Sequence, residues 1–499
     1  MKISDSQFAA KNVPLSSGRL DRVTIALYLI AIALSAGSAL AIGRFGAVVL
    51  LVVPALIFLI VVFLRPDYGL SFFIFVTVSQ VSNVAIKFYG APSIAQPLAG
   101  LLMIVILLRI VFIQQRPLSL GRITPVLIIY VFVLFISLFA AIDFKLSSAT
   151  FIGFFKDALG GAIVVLLIQR SASFRQAVWA LIIAGIFMGS ISVFQTVTRA
   201  YDNSFFGFGR WESQSSGEQS RNRLTGPYDN PNAYSQIMVV IFALALERFW
   251  HEKRSLLRIF AGWAAIVSSL AVIFTYSRGG VLTLIATIGV VFLLNRPRIL
   301  PVLITASLAL ALILLLPSDY TQHISTLQDL LPSQNNNQVY DSSFRGRLSE
   351  NIAAWQMFLK HPIVGVGLGN YETQYQIYSR QIGLDSRRVT RSPSSLYLEI
   401  LSEQGLIGAL VFIWFAYIIF SGLFLARKQF AAIGLPDQAN LTMALIAGFS
   451  GYLIAAIVKN SAYANVYWIL AGMAIGAIQV ANNSSREKRI LMHSVQHYE

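Results

Sequence analysis

The apolar residues of this chain fall in long blocks that hold almost no charge, and that feature limits the fold more than any other. A block of about 20 apolar residues, wound as a helix, crosses the hydrocarbon layer and satisfies its own backbone hydrogen bonds there. Only 12% of the 499 residues are charged, about half the roughly 25% usual in soluble domains. A soluble globular enzyme, a disordered chain and a disulfide-stapled secreted domain are thereby excluded. The pattern predicts an all-α polytopic membrane protein.

About twelve to fourteen spans can be read by this criterion. The fuller set runs 23–43, 45–64, 69–87, 94–113, 123–142, 150–168, 176–197, 232–248, 258–275, 279–295, 299–316, 405–425, 438–459 and 463–481. The segment ending Ala39-Leu40-Ala41 resembles a signal-peptide cleavage site, but the span that follows favours an uncleaved anchor.

The chain carries 38 basic and 22 acidic residues. In this context the excess marks membrane orientation rather than nucleic-acid binding, because the basic residues cluster in short connections between apolar blocks. Lys2, Lys11, Arg19 and Arg22 precede the first span, and Arg170, Arg175, Arg248, Lys253, Arg254, Arg427 and Lys428 mark alternate later connections. With fourteen spans all of these fall on one side, which the positive-inside rule makes cytoplasmic, together with both termini. The expected organisation is a cytoplasmic tail over 1–22, spans over 23–316, spans over 404–481 and a second cytoplasmic tail over 482–499. Two long polar segments, 198–231 and 317–403, then face outward, and chemistry on large soluble groups is expected there. With no cysteine in the chain, disulfides, thiolate nucleophiles and Cys-ligated metals are excluded.

The larger outer segment has internal order. Leu348, Ile352, Trp355 and Leu359 recur at helical spacing and predict an amphipathic helix that His361-Pro362 ends. Gly365, Gly367 and Gly369 follow without the strand–helix context of a dinucleotide loop, so they predict a tight turn at the membrane surface. A polar helix is expected over 370–381, and Asn335-Asn336-Asn337 reads as a loop tip. Arg387, Arg388 and Arg391 then precede Ser392-Pro393-Ser394-Ser395, a helix start, with Glu399 and Glu403 four apart on the helix that continues into the next span. The two carboxylates suit an interfacial site or, for Glu403 especially, an ordinary solvated helix end.

In the smaller outer segment, Arg210, Arg221 and Arg223 lead to Gly226-Pro227-Tyr228-Asp229-Asn230-Pro231-Asn232, a defined turn. Arg278 sits in Thr275-Tyr276-Ser277-Arg278-Gly279-Gly280 between two spans with almost no loop. An arginine so close to hydrocarbon is costly unless paired or hydrated, which makes it a functional candidate, a structural partner for a backbone carbonyl being the alternative. Guanidinium groups bind phosphate in a bidentate fashion, so arginines converging at the outer surface suit a lipid diphosphate. No Asp-x-Asp or His cluster points to a metal, and no cofactor is expected. Lys156 and Asp157, within the sixth span, are read as a structural pair or part of a polar cavity.

Taken in order, these motifs resemble the O-antigen ligase and polymerase family of bacterial envelope proteins. The matching stretches are Arg223-Leu224-Thr225-Gly226 with Asn230-Pro231-Asn232, Ser277-Arg278-Gly279-Gly280, Gly346-Arg347 with Trp355, the His361 to Asn370 glycine turn, and Ser394-Ser395-Leu396-Tyr397-Leu398-Glu399 with Gln404-Gly405. The resemblance implies a fold like that of GT-C membrane glycosyltransferases in the bacterial inner membrane. It implies a glycan donor carried on undecaprenyl diphosphate, membrane lipid as surroundings, and transfer without metal. By position, Arg223 and Arg278 would bind the diphosphate with help from Arg347. Arg221, Asn230, Asn232, Asn370 and Tyr397 are assigned to substrate binding. Ligases of the family have His-Asn where this chain has Ser394-Ser395. Serine alone is no base near neutral pH, so Glu399, with Ser394 beside it, is expected to take the acceptor proton. The missing histidine favours a polymerase of lipid-linked repeat units, for which a chain-length regulator is a further expected partner. A ligase and a lipid-linked sugar transporter are the rival readings. Nucleic acid is not expected as a partner.

Overall fold

The computed structural model describes residues 58–112, 123–216, 219–295, 342–384, 390–461 and 464–496. The expected 1–22 tail, the spans 23–43 and 299–316, most of 45–64, the Asn335 patch, Arg387 and Arg388 lie outside the described residues. The chain divides into Met1–Gly69, in which 58–64 are helical, and Leu70–Glu499. The packing described below is that of the second unit.

The described chain is almost wholly helical. Its helices are α1 Pro66–Val78, α2 Val81–Tyr89, α3 Ala95–Phe112, α4 Ile123–Phe139, α5 Phe144–Leu167 and α6 Ser171–Val197. After a two-stranded hairpin (β1 Trp211–Ser216, β2 Gln219–Leu224) come α7 Pro231–His251, α8 Ser255–Phe274 and α9 Arg278–Asn295. Two polar helices, α10 Ser342–Lys360 and α11 Tyr371–Ile382, precede α12 Leu396–Ala432, α13 Pro436–Ala455 and α14 Asn465–Gln496. Among the described residues seven helices are long and apolar enough to cross a membrane. They are α3, α5, α6, α7, α8, α12 and α13, with α4 and α9 as shorter apolar helices. The protein is a polytopic helical membrane protein. Helix α7 is the most enclosed of its spans, packed among α8, α13, α9 and α6.

Three expected segments differ in instructive ways. The apolar run 69–87 is not one helix: α1 and α2 are separated at Ser79-Gln80, where Gln80 adopts φ 59°. A break at this depth must replace the lost backbone bonds. Ser79 Oγ donates to Phe75 O (2.6 Å), Gln80 Nε2 to Thr77 O (3.1 Å), and Tyr228 Oη reaches in to donate to Val78 O (2.5 Å). The second break is at Gly405, whose φ 65°, ψ −162° interrupts α12 where continuity was expected. The third difference is at the far end, where α14 stays helical to Gln496, through most of the expected 482–499 tail.

The Gly405 break is stitched to the glycine turn group by group. Leu406 N donates to Pro362 O (2.8 Å) and Ile407 N to Ile363 O (3.3 Å), while Val366 N and Gly367 N donate to Ser402 O (2.9 Å) and Glu403 O (3.1 Å). Both backbones approach too closely for side chains. A Cβ on Gly365 would lie 2.3 Å from the Glu403 carbonyl carbon, and one on Gly405 2.4 Å from that of Ile363. Gly365 and Gly405 also have φ of 72° and 65°, so glycine is required at both on two counts. The expected tight turn is therefore present.

Helix α10 forms where its spacing predicted, but it buries a different face. Leu348, Trp355 and Leu359 are exposed, while Ala353, Ala354 and Met357 pack on Tyr371, Tyr375 and Tyr378 of α11. The stacked rings of Tyr371 and Tyr375 need small residues opposite them, and their hydroxyls anchor to Glu350 O (2.7 Å) and Ser349 Oγ (3.1 Å) on α10.

Candidate functional site

The site is assembled at the N-terminal end of α7. There the hairpin pairs Glu212 with Arg223 in antiparallel register. Asn230 caps α7 with its side chain, accepting from Asn232 N and Ala233 N (both 3.0 Å), and Pro231 occupies the first helical turn. The preceding turn is pinned by Asp229, which accepts from Arg210 and, at 2.9 Å, from Lys87. Burial opposes the Asp229 charge, but the Arg210 and Lys87 hydrogen bonds outweigh it and hold the carboxyl below its usual range.

Two contacts join this segment to the turn before α9. Arg223 Nε donates to Thr275 O at 3.0 Å, three residues before Arg278. Ser277 Oγ donates to Asn232 Oδ1 at 2.7 Å and accepts from Gly280 N at 3.1 Å. Arg278 is then the first residue of α9. Burial lowers the Arg223 pKa, Glu212 opposes this, and Arg347 of α10 adds to it. The like charge of Arg347 is thus felt at Arg223. Arginines from β2, the start of α9 and α10 gather at one end of the bundle, with the N-termini of α7 and α9 adding positive dipole ends. Arg221 lies two residues before Arg223 on β2, paired with Gln214.

The carboxylates come from α12. Glu403 is buried, unlike a solvated helix end, and accepts from Gly369 N (2.8 Å) and Tyr371 N (3.2 Å). It holds the glycine turn and the start of α11. Glu399, one turn nearer the helix start, is also buried. Its charge is felt at Tyr130, Tyr452 and Lys459. Ser394 Oγ donates to Asn351 Oδ1 (2.6 Å), and Arg391 Nη1 to Glu350 Oε1 (2.6 Å), so the approach to α12 is fastened to α10.

Besides Asn230 and Asn232, two further assigned substrate ligands have internal duties. Asn370 is fully buried, accepting from Asp143 N (2.7 Å) and donating to Ser147 Oγ (2.6 Å) and Leu368 O (3.1 Å). It ties the glycine turn to the start of α5. Tyr397 Oη donates to Leu453 O at 2.8 Å. Lys156 is exposed on α5 beside half-buried Asp157. Among the described residues no group of three or more His, Asp or Glu side chains could hold a metal ion.

Residues 263–413 match the O-antigen ligase family model. The resemblance carried by the motifs is shown over that stretch, which spans Arg278, Arg347, Ser394 and Glu399. Arg223 and the hairpin lie before it. Proteins of this family are glycosyltransferase-like enzymes of the ligase or polymerase type. No curated protein matches the chain.

Sequence reasoning missed the hairpin, because Trp211-Glu212-Ser213-Gln214-Ser215-Ser216 shows no alternation of apolar and polar residues.

Proposed function

We propose that the protein polymerises oligosaccharide units carried on a polyprenyl diphosphate, at the outer face of a bacterial inner membrane. The acceptor hydroxyl oxygen attacks the sugar carbon bonded to diphosphate, with inversion, and that carbon–oxygen bond breaks. The electron pair leaves with the polyprenyl diphosphate, and the hydroxyl proton passes to Glu399. Arg223 and Arg278, with Arg347 nearby, carry the charge that develops on the leaving diphosphate. Asn230, Asn232 and Asn370 shape the walls of the site, and Ser394 and Tyr397 stand at the acceptor side.

The observation that carries this reading is the Arg223–Thr275 hydrogen bond, which draws the hairpin arginine to the turn that holds Arg278. Guanidinium groups brought together near a span suit a diphosphate, which they can bind in a bidentate way. The Ser394-Ser395 pair in place of His-Asn favours polymer extension over ligation.

Deleting the gene and sizing carrier-linked and surface glycan tests the reading. Single repeat units on the carrier with no polymer are expected. Long polymer stranded on the carrier would indicate a ligase, and units trapped on the cytoplasmic face would indicate a transporter.

A further inference from the structure

Helix α10 has two apolar faces, and only one of them lies in the core. Ala353, Ala354 and Met357 pack with the tyrosines of α11. Leu348, Trp355 and Leu359 share the opposite face by the helical repeat, and Trp355 and Leu359 are 47% and 60% exposed. The Trp355 ring meets Phe358 of the same helix, with centroids 5.3 Å apart. An apolar stripe of this kind marks a surface that meets something other than water.

The stripe continues past the end of the helix. Ile363, just beyond α10, is 64% exposed. Its carbonyl accepts from Ile407 N at 3.3 Å, and that of Pro362 from Leu406 N at 2.8 Å. These bonds lay the end of the stripe against the Gly405 break of α12, a helix long and apolar enough to cross a membrane. Past the break Leu406, Leu410 and Ile413 are exposed, which on a span is the side that meets lipid. One apolar surface therefore runs from α12 through Ile363 onto α10, and what covers the first part covers the rest. The borders of the stripe suit the same neighbour. Arg345 and Lys360 are exposed along one flank, and Arg347 is partly buried on the other. Basic residues beside a stripe that holds Trp and Leu are the pattern of helices lying in the membrane interface, with their cations at headgroup level.

We propose that α10 is an interfacial helix, seated on bilayer lipid at the end of the bundle that holds the site, with Leu348, Trp355, Leu359 and Ile363 turned into the acyl chains. The seat fixes the height of α10 above the hydrocarbon layer. The approach to α12 follows that height, because Arg391 and Ser394 are bonded to Glu350 and Asn351 of α10. Arg347 is thereby held at headgroup depth, where a lipid-linked diphosphate presents its charge. That last consequence rests on the proposed function; the seating of α10 does not.

The chain has no cysteine, so a single introduced cysteine reports one position. Leu348→Cys, Trp355→Cys, Leu359→Cys and Ile363→Cys in the full-length protein, each labelled with an environment-sensitive fluorophore, are read in lipid nanodiscs. The quenchers are lipids with a nitroxide at the headgroup, high on the acyl chain or at its end, and iodide in the water. Emission should be lost to the nitroxide lipids and kept in iodide, with the greatest loss at a depth of about 5–10 Å. Loss to iodide alone would put the stripe in water and overturn the proposal. Loss to neither would show that protein covers the stripe, and greatest loss at the chain ends would put α10 in the hydrocarbon core; either overturns it as well. If the labelled variants do not assemble, the wild-type protein is photolabelled with an acyl-chain diazirine lipid and its peptides are mapped. Label on peptides from 342–363 is expected, and label confined to the spans would overturn the proposal. None of these readings depends on glycan transfer, so their failure leaves the proposed function standing.

Discussion

Arg248, near the C-terminal end of α7, is fully buried among carboxylates, whereas Arg223, drawn to the N-terminal end of the same helix, rests on a backbone carbonyl with another arginine for a neighbour. Arg248 contacts Glu247 at 2.6 Å and Asp437 at 2.7 Å, and Glu252 lies 3.7 Å away. Arg175 completes the set by reaching both Glu252 oxygens at 2.6 Å and Asp437 at 3.3 Å. His251 adds a 3.1 Å contact to Glu247. This network binds the start of α6, the end of α7 and the start of α13 into one closed ionic cluster. At the other end, Arg223, Arg278 and Arg347 gather with Glu212 as the carboxylate that acts on Arg223. The difference teaches how one helix type of cation serves two purposes. Matched by carboxylates, a buried arginine fixes helix positions; at the other end we propose that the arginines receive an anion from outside the protein.

The sharpest way to break this comparison is to remove one arginine from each end. Arg223→Ala or Arg278→Ala should cost about 100- to 1,000-fold in glycan transfer, with normal yield and thermal stability in detergent. Arg223→Lys should recover only part of that loss, because an ammonium cannot bind phosphate in the bidentate way. Arg248→Ala should do the reverse: it leaves buried Glu247 with His251 alone among the cations of the cluster, takes one of two arginines from Glu252 and Asp437, and should cost roughly 3–5 kcal/mol of stability, read as lost yield and a lowered Tm. Equal stability loss at both ends would erase the distinction.

The joint that carries Glu399 and Glu403 should not tolerate an added side chain at Gly405. Gly405→Ala forces a Cβ into the Ile363 carbonyl at a positive φ. It should cost roughly 1–3 kcal/mol, whereas Ala at Gly383, where the added Cβ meets nothing within 4 Å, should cost less. Thermal unfolding of the two variants side by side checks this.

The smallest effect expected is at Asp229. Its carboxyl is held below the usual range, so the folded state binds its proton more weakly than the unfolded chain does. The stabilisation is therefore full above the unfolded value of about 3.9, and is lost as pH falls through the depressed folded value. Because Asp229 is half exposed, Asp229→Asn should cost less than about 1 kcal/mol at neutral pH. The difference from wild type should vanish at low pH in a Tm-versus-pH series.

Much of this was legible in the sequence, and the omissions have physical causes. The apolar blocks gave the spans and the three alternate glycines gave the turn, because membrane insertion and positive φ each demand particular residue types. Arg175 and Arg248 read as loop charges that set orientation, since distance from a span's end does not tell which basic residue turns inward to meet carboxylates from other helices. The break at Ser79-Gln80 had no proline or glycine to announce it; its replacement bond comes from Tyr228, far along the chain. The exposed stripe on α10 followed the helical period correctly, but which face is buried depends on the tyrosines of α11.

The central claim is that the Arg223 end receives a lipid diphosphate. The most direct measurement is release of free polyprenyl diphosphate by the purified protein in liposomes loaded with the diphosphate-linked oligosaccharide. One diphosphate per sugar linkage formed is expected from the wild type, with release reduced at least about 100-fold in Arg223→Ala and Arg278→Ala. Undiminished release from well-folded Arg223→Ala and Arg278→Ala proteins would contradict the account.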